Sequence, residues 1–158
     1  MFEEKFTHWV KWRNRFELNG LNYPGVYALA YSNNNIAGNH FSWMQEICYF
    51  GMSNSTKGLK GRLSQFDSTI RTKAKERHGG ADRFNYKYKD YDKLTDHLYV
   101  SVSVFECDVT SFLPDDLNKM GDVAKFEYSC LAHYVDEYKH LPEFNDKKKS
   151  PKKDKKSR

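Results

Sequence analysis

Residues Leu98 to Phe105 alternate without a break, with Leu98, Val100, Val102 and Val104 on one side and Tyr99, Ser101, Ser103 and Phe105 on the other. Only an extended strand has that two-residue period, so the chain must build a sheet. Two further strand-like runs lie earlier. Val26-Tyr27-Ala28-Leu29-Ala30-Tyr31 is apolar and aromatic throughout, as suits a buried strand, and Glu46 to Phe50 supplies another. Ser32 to Asn39 between them holds four Asn and one Gly, so the two runs are expected to pair as a hairpin with a long connection.

Elsewhere the period becomes helical. Phe2, Phe6, Trp9, Val10, Arg13 and Phe16 predict a helix over 2–18, ended by Gly20 and the Asn22-Tyr23-Pro24-Gly25 cluster. Leu59, Leu63, Phe66 and Ile70 predict a second from Gly58 to about Arg77, stopped by Gly79-Gly80. Phe84 to Lys93 alternates aromatics with charges and reads as a loop. Pro114-Asp115-Asp116 opens a third helix running to about His140, with Gly121-Asp122 as its weak point. The expected fold class is α/β (α+β), a small three-stranded, mostly antiparallel sheet flanked by helices. Its expected parts are an N-terminal helix packed on the domain (1–20), the domain itself (21–146) and a Lys-rich tail (147–158), too polar to bury a core and expected to be disordered.

A chain of 158 residues suits one domain. The net charge of +5 is unevenly spread: seven Lys and one Arg against one Asp give the last twelve residues +7, leaving the rest at −2. A second basic stretch, Arg71 to Lys93, carries eight Lys or Arg against four Asp or Glu. This asymmetry fits a polyanionic partner, and fits a solvated surface nearly as well. Cys48, Cys107 and Cys130 are odd in number, widely spaced and without a CxxC pair, which argues against a zinc knuckle or a disulfide framework. No apolar run approaches the roughly 18–20 residues of a membrane span, and Glu3-Glu4 is the wrong start for a signal peptide. The expected compartment is cytoplasmic, with no membrane partner; the tail also looks like a nuclear-localisation stretch.

Two charged residues fall at unusual places in the helical patterns. Arg62 lies three residues after Leu59 and four before Phe66, so it emerges at the border of an apolar stripe. It either snorkels to the surface or aims its guanidinium into a groove. Glu127 falls in the series Val123, Glu127, Leu131, Val135, which sets a carboxylate within an apolar stripe. Such a group needs a partner, either an internal cation or a metal such as Mg²⁺, which favours carboxylate and water oxygens. Tyr27 and Tyr49, taken alone, are ordinary strand residues.

The ordered set Gly25-Val26-Tyr27, Tyr49-Phe50-Gly51, helical Arg62, helical Glu127 and terminal Pro142-Glu143-Phe144-Asn145 resembles the GIY-YIG nuclease family. The resemblance covers roughly Pro24 to Asn145. It implies that Tyr27 orients or deprotonates an attacking water with Tyr49 in support, and that Arg62 offsets charge on the phosphoryl group. It also implies that Glu127 holds Mg²⁺ (or Mn²⁺), with Asn145 orienting the site. A free tyrosine has a pKa of about 10, so a basic role requires nearby positive charge.

The sequence departs from the family pattern where many relatives carry a His one helical turn after the Arg, since that position is Phe66. Met52 replaces a common Lys or polar residue, and Ser53-Asn54-Ser55-Thr56 looks like an insertion. Lys57, Lys60 or His78 could stand in for the missing base, whereas His40, His97 and His133 lack ligand spacing and read as structural. With no separate DNA-binding domain, recognition would fall to Arg71, Arg77, Arg83, Lys87 and Lys89, interleaved with Tyr86, Tyr88 and Tyr91. The sequence therefore points to a metal-dependent DNA endonuclease of the restriction, phage or mobile-element sort. The alternatives are a structure-selective repair or recombination nuclease, and a nucleic-acid-binding module of the same fold without turnover. A single site cuts one strand, so a double-strand break calls for a homodimer or two encounters.

Overall fold

The computed structural model describes residues 5–71 and 79–146. Four strands, β1 (Val10–Lys11), β2 (Gly25–Tyr31), β3 (Ile47–Ser53) and β4 (Leu98–Val104), form one sheet in the order β1-β4-β2-β3. Every pairing is antiparallel. Four α-helices accompany them: α1 (Gly58–Ile70), α2 (Gly79–Lys87), α3 (Tyr91–His97) and α4 (Pro114–Tyr138). The mixed α and β character and the β2–β3 hairpin match expectation, and β1 adds a fourth strand.

The sheet is covered on both faces. Tyr27, Leu29, Val100 and Val102 pack with Leu59, Leu63 and Phe66 of α1 and Phe84 of α2. Val26, Ala28, Ala30 and Phe50 point the other way, towards Val123, Phe126 and Cys130 of α4. Central strand β2 is therefore apolar on both sides, which is why its sequence runs without alternation. The polar face of β4 is also buried. There Ser101 donates its hydroxyl to the Thr7 carbonyl at 2.6 Å, and Thr7 in turn accepts from the Val102 amide at 3.0 Å.

The N-terminal helix is not formed. Val10–Lys11 pairs with β4, and Trp12–Glu17 is 3₁₀ in character with a kink at Asn14. The reason lies in the destinations of the aromatic side chains: Phe6 and Trp9 enter the core on the α4 side, whereas Trp12 enters the one on the α1 side. One helical stripe faces one way and cannot serve both faces of a sheet; an extended chain passing its edge can. The loop expected over Phe84 to Lys93 is instead helical at both ends. Phe84 and Tyr88, four residues apart, both turn inward, and Asp90 caps α3 by accepting from the Lys93 amide at 3.2 Å. Helix α4 runs unbroken through Gly121 to a left-handed cap at Lys139. Cys48, Cys107 and Cys130 are free thiols. Among the described residues no helix is long and apolar enough to cross a membrane. Arg77, His78 and the tail from Lys147 lie outside the described residues.

Candidate active site

The two aromatic–glycine signatures interlock. Tyr27 on β2 is paired across the hairpin with Gly51 on β3, and its ring lies over that glycine. A Cβ at position 51 would fall on the Tyr27 hydroxyl and within 2.8 Å of its Cε1. Tyr49 has a similar relation to α2, where a Cβ at Gly80 would come within 2.6 Å of the Tyr49 hydroxyl. The two rings are 6.0 Å apart between centroids, tilted by 43°. A hydrogen bond joins their hydroxyls, and Arg62 of α1 donates to Tyr27. Arg62 is half-buried at the stripe border and also donates to Gln65 Oε1 at 2.7 Å.

Glu127 reaches the same cluster from α4, which packs mainly against β3. It is half-buried and makes no ion pair or hydrogen bond with any described residue, although its charge is felt by Tyr27, Tyr49 and Arg62. Burial lifts its carboxyl above the usual range, and Arg62 only partly opposes this. Burial also drives the Tyr27 hydroxyl well above its ordinary value. Tyr49 and Glu127 add to the rise, while Arg62 pulls down through its charge and its hydrogen bond. The Tyr49 hydroxyl is raised for the same first reason, then by Glu127, against Arg62 and Arg83. Arg62 alone therefore does not make Tyr27 a base at neutral pH, and Tyr27 keeps its proton, in the hydrogen bond to Tyr49.

Asn145 clamps the edge strand. Its Oδ1 accepts from the Phe50 amide at 2.9 Å and its Nδ2 donates to the Phe50 carbonyl at 3.0 Å, replacing a neighbouring strand next to Tyr49. Such a side chain orients β3, and both of its polar groups are committed to doing so. Arg83 supports the same segment, donating to the Phe144 carbonyl at 2.9 Å from a side chain only 6% exposed.

Several sequence-based expectations change. Arg83 is buried and holds Phe144, which removes it from any nucleic-acid-facing surface. Arg71 is occupied at Asp67, 2.8 Å away, and stacks over Tyr91. Lys87 pairs with Glu143 at 2.5 Å, and Tyr88 stacks on Tyr31. Lys89 and Tyr86 remain exposed. Lys60 lies over the Phe16 ring at 5.9 Å, outside the cluster, whereas Lys57 lines a groove with Arg62. Phe66 is wholly buried between Trp12 and Phe84, so an aromatic core contact fills the place of the missing imidazole. The hub at Asp67 was not foreseen. This buried carboxylate accepts from Trp12 Nε1 at 2.9 Å, the Tyr91 hydroxyl at 2.6 Å and Arg71 Nε at 2.8 Å, with Arg15 at 3.5 Å. It ties the 3₁₀ segment to α1 and α3. Its signal was faint: one acidic residue beside Phe66 in an otherwise apolar helix face.

Among the described residues no three His, Cys, Asp or Glu side chains cluster as a metal cage. A half-buried carboxylate without an ion pair, near Arg62, does suit Mg²⁺, which retains water and uses substrate phosphate oxygens as ligands. Comparison with protein-family models, curated proteins and solved structures returns no match.

Proposed function

We propose that the chain is a metal-dependent endodeoxyribonuclease of GIY-YIG type, hydrolysing phosphodiester bonds in DNA. The observation that carries this reading is that Tyr27, Tyr49, Arg62 and Glu127, drawn from β2, β3, α1 and α4, share one electrostatic cluster. Structural economy alone does not favour leaving a half-buried carboxylate unpaired so near an arginine.

In the proposed reaction Arg62 offsets the negative charge that builds on the phosphoryl oxygens. Tyr27, whose buried hydroxyl is held between Arg62 and Tyr49, would orient the attacking water through those two side chains. Water oxygen bonds to phosphorus in line as the bond to the 3′ oxygen breaks; the water gives one proton to solvent and the 3′ oxygen takes one up, leaving a 5′-phosphate and a 3′-hydroxyl. Glu127 would hold the divalent cation, Mg²⁺ or Mn²⁺, which when bound supplies Lewis-acid polarisation of phosphate oxygens. Asn145 keeps β3, and so Tyr49, in register.

Phe66 favours a second reading, since its burial leaves no imidazole there to take a proton: a nucleic-acid-binding module without turnover. Supercoiled plasmid incubated with Mg²⁺ separates the two. Nicking or linearisation abolished by EDTA and by Glu127→Gln supports the nuclease. Intact plasmid with retained, salt-sensitive binding supports the module.

A further inference from the structure

A groove of about 400 Å³ opens beside Arg62, lined by Ser53, Asn54, Ser55, Lys57, Arg62 and Gln65. Its chemistry sets it apart from three other surface grooves formed by described residues. Those carry carboxylates: Glu106 and Asp108 in one, Glu46 and Glu143 in the second, Asp136 in the third. This one has two cations and no carboxylate. We propose that it is the track for the substrate strand, with Lys57 contacting the phosphate adjacent to the scissile one.

The local construction fits that role. A Cβ at Gly61 would meet Lys57 Cβ at 2.5 Å and Cδ at 3.4 Å, so the lysine stem lies over Gly61 along the first turn of α1. The loop before it is held rather than free. Asn54 Nδ2 donates to the Met120 carbonyl of α4 at 3.0 Å, and the Ser53 and Ser55 hydroxyls bond at 3.1 Å. Gln65 receives Arg62 on Oε1 and keeps its amide donors without a partner among described residues. The groove thus offers hydroxyl, amide and ammonium donors on a braced loop, leading away from the arginine of the cluster. A phosphodiester backbone carries one negative charge per unit and many acceptors, which is the complement of that lining. The loop that reads in the sequence as an insertion is, in this proposal, the substrate-binding wall. Lys57 becomes a binding residue and not a replacement base.

The proposal rests on the nuclease reading for its ligand, so the experiment scores binding and cutting separately. Full-length Glu127→Gln protein is titrated into fluorescein-labelled duplex DNA, single-stranded DNA and RNA, by anisotropy over a salt series. Adding Lys57→Gln should lower the slope of log affinity against log salt by about 0.9 on duplex DNA. The gap from the parent should then widen about threefold for each roughly fourfold drop in salt. Lys11→Gln, on β1 at the opposite edge of the sheet, should leave the slope unchanged. In the otherwise native chain Lys57→Gln should raise KM and spare kcat, whereas loss of a base would lower kcat. An unchanged slope, an equal effect of Lys11→Gln, or no binding at all overturns the track. A native chain that fails to cut while the Lys57 slope effect persists removes the chemistry and leaves the track standing.

Discussion

Gly51→Ala opposes two effects whose signs the structure separates. On propensity alone the change should help, because a strand glycine loses more chain entropy on folding than alanine. Here the added methyl falls on the Tyr27 hydroxyl and within 2.8 Å of Cε1, and Tyr27 is 0% exposed. The ring has no empty space to swing into, so either it or the β3 backbone must shift. Overpacking of this kind costs about 1–3 kcal/mol. The shift falls on the hydroxyl that Arg62 and Tyr49 hold, so cutting should drop further, by about 100-fold for a displacement near 1 Å. Gly121→Ala is the counterpart. Nothing lies within 4 Å of a Cβ there, in the middle of α4, and the change should stabilise by up to about 1 kcal/mol. Urea denaturation measures both, with the midpoint falling for Gly51→Ala and rising for Gly121→Ala at constant m. A Gly51→Ala protein with native midpoint and native plasmid-cutting rate would refute the interlocked-hairpin reasoning.

Asp67→Asn should destabilise by about 3–5 kcal/mol in denaturant melts, because it breaks a buried pair and leaves Arg15 without its carboxylate. Burial pushes the Asp67 carboxyl up, but hydrogen bonds from Tyr91, Arg71 and Trp12, with the Arg15 charge, outweigh it and hold it below 3.8. Its contribution is therefore complete above pH 3.8 and lost as pH falls through the lower folded value; melts in acid should show that limb flattened in Asp67→Asn. Glu127 behaves in the opposite sense. Its raised folded pKa means that stability falls as pH rises from 4.5 through the folded value. Metal-free Glu127→Gln should then melt above the native protein at neutral pH. Asn145→Ala removes both bonds to Phe50 and should cost about 1–3 kcal/mol in denaturant melts. It should also lower kcat more than it raises KM.

How much of this was legible depends on how local the deciding physics is. Helices α1 and α4 follow from periodicity because each presents a regular face to a single core; β4 follows from its unbroken two-residue period, and β2 from being apolar throughout, as a strand buried on both faces is. The N-terminal segment defeated the same logic: Phe6 and Trp9 fit a helical spacing, but Trp12, outside that stripe, is buried on the opposite face of the sheet. Gly121 was overweighted as a breaker, since a 25-residue helix with a packed face tolerates one glycine. At the site, helical spacing marked Arg62 and Glu127 and the family resemblance marked Tyr27 and Tyr49; the fold brings the four within electrostatic reach of one another. Charge counting over Arg71 to Lys93 does not reveal that Arg71 is engaged by Asp67 and Arg83 by the Phe144 carbonyl. Nor could any pattern in sequence show that Gly51 and Gly80 are the floors beneath two tyrosines.

The central claim is that Arg62 and Glu127 act with the tyrosine pair as one unit on a phosphodiester. Single-turnover cutting rates of Arg62→Ala, Glu127→Gln and the double variant, measured with Mg²⁺ on one plasmid substrate, test it most directly. Groups acting as a unit are strongly non-additive, so the double variant should be no slower than the worse single one. Losses that multiply in the double variant, or native cutting by Glu127→Gln, would contradict it.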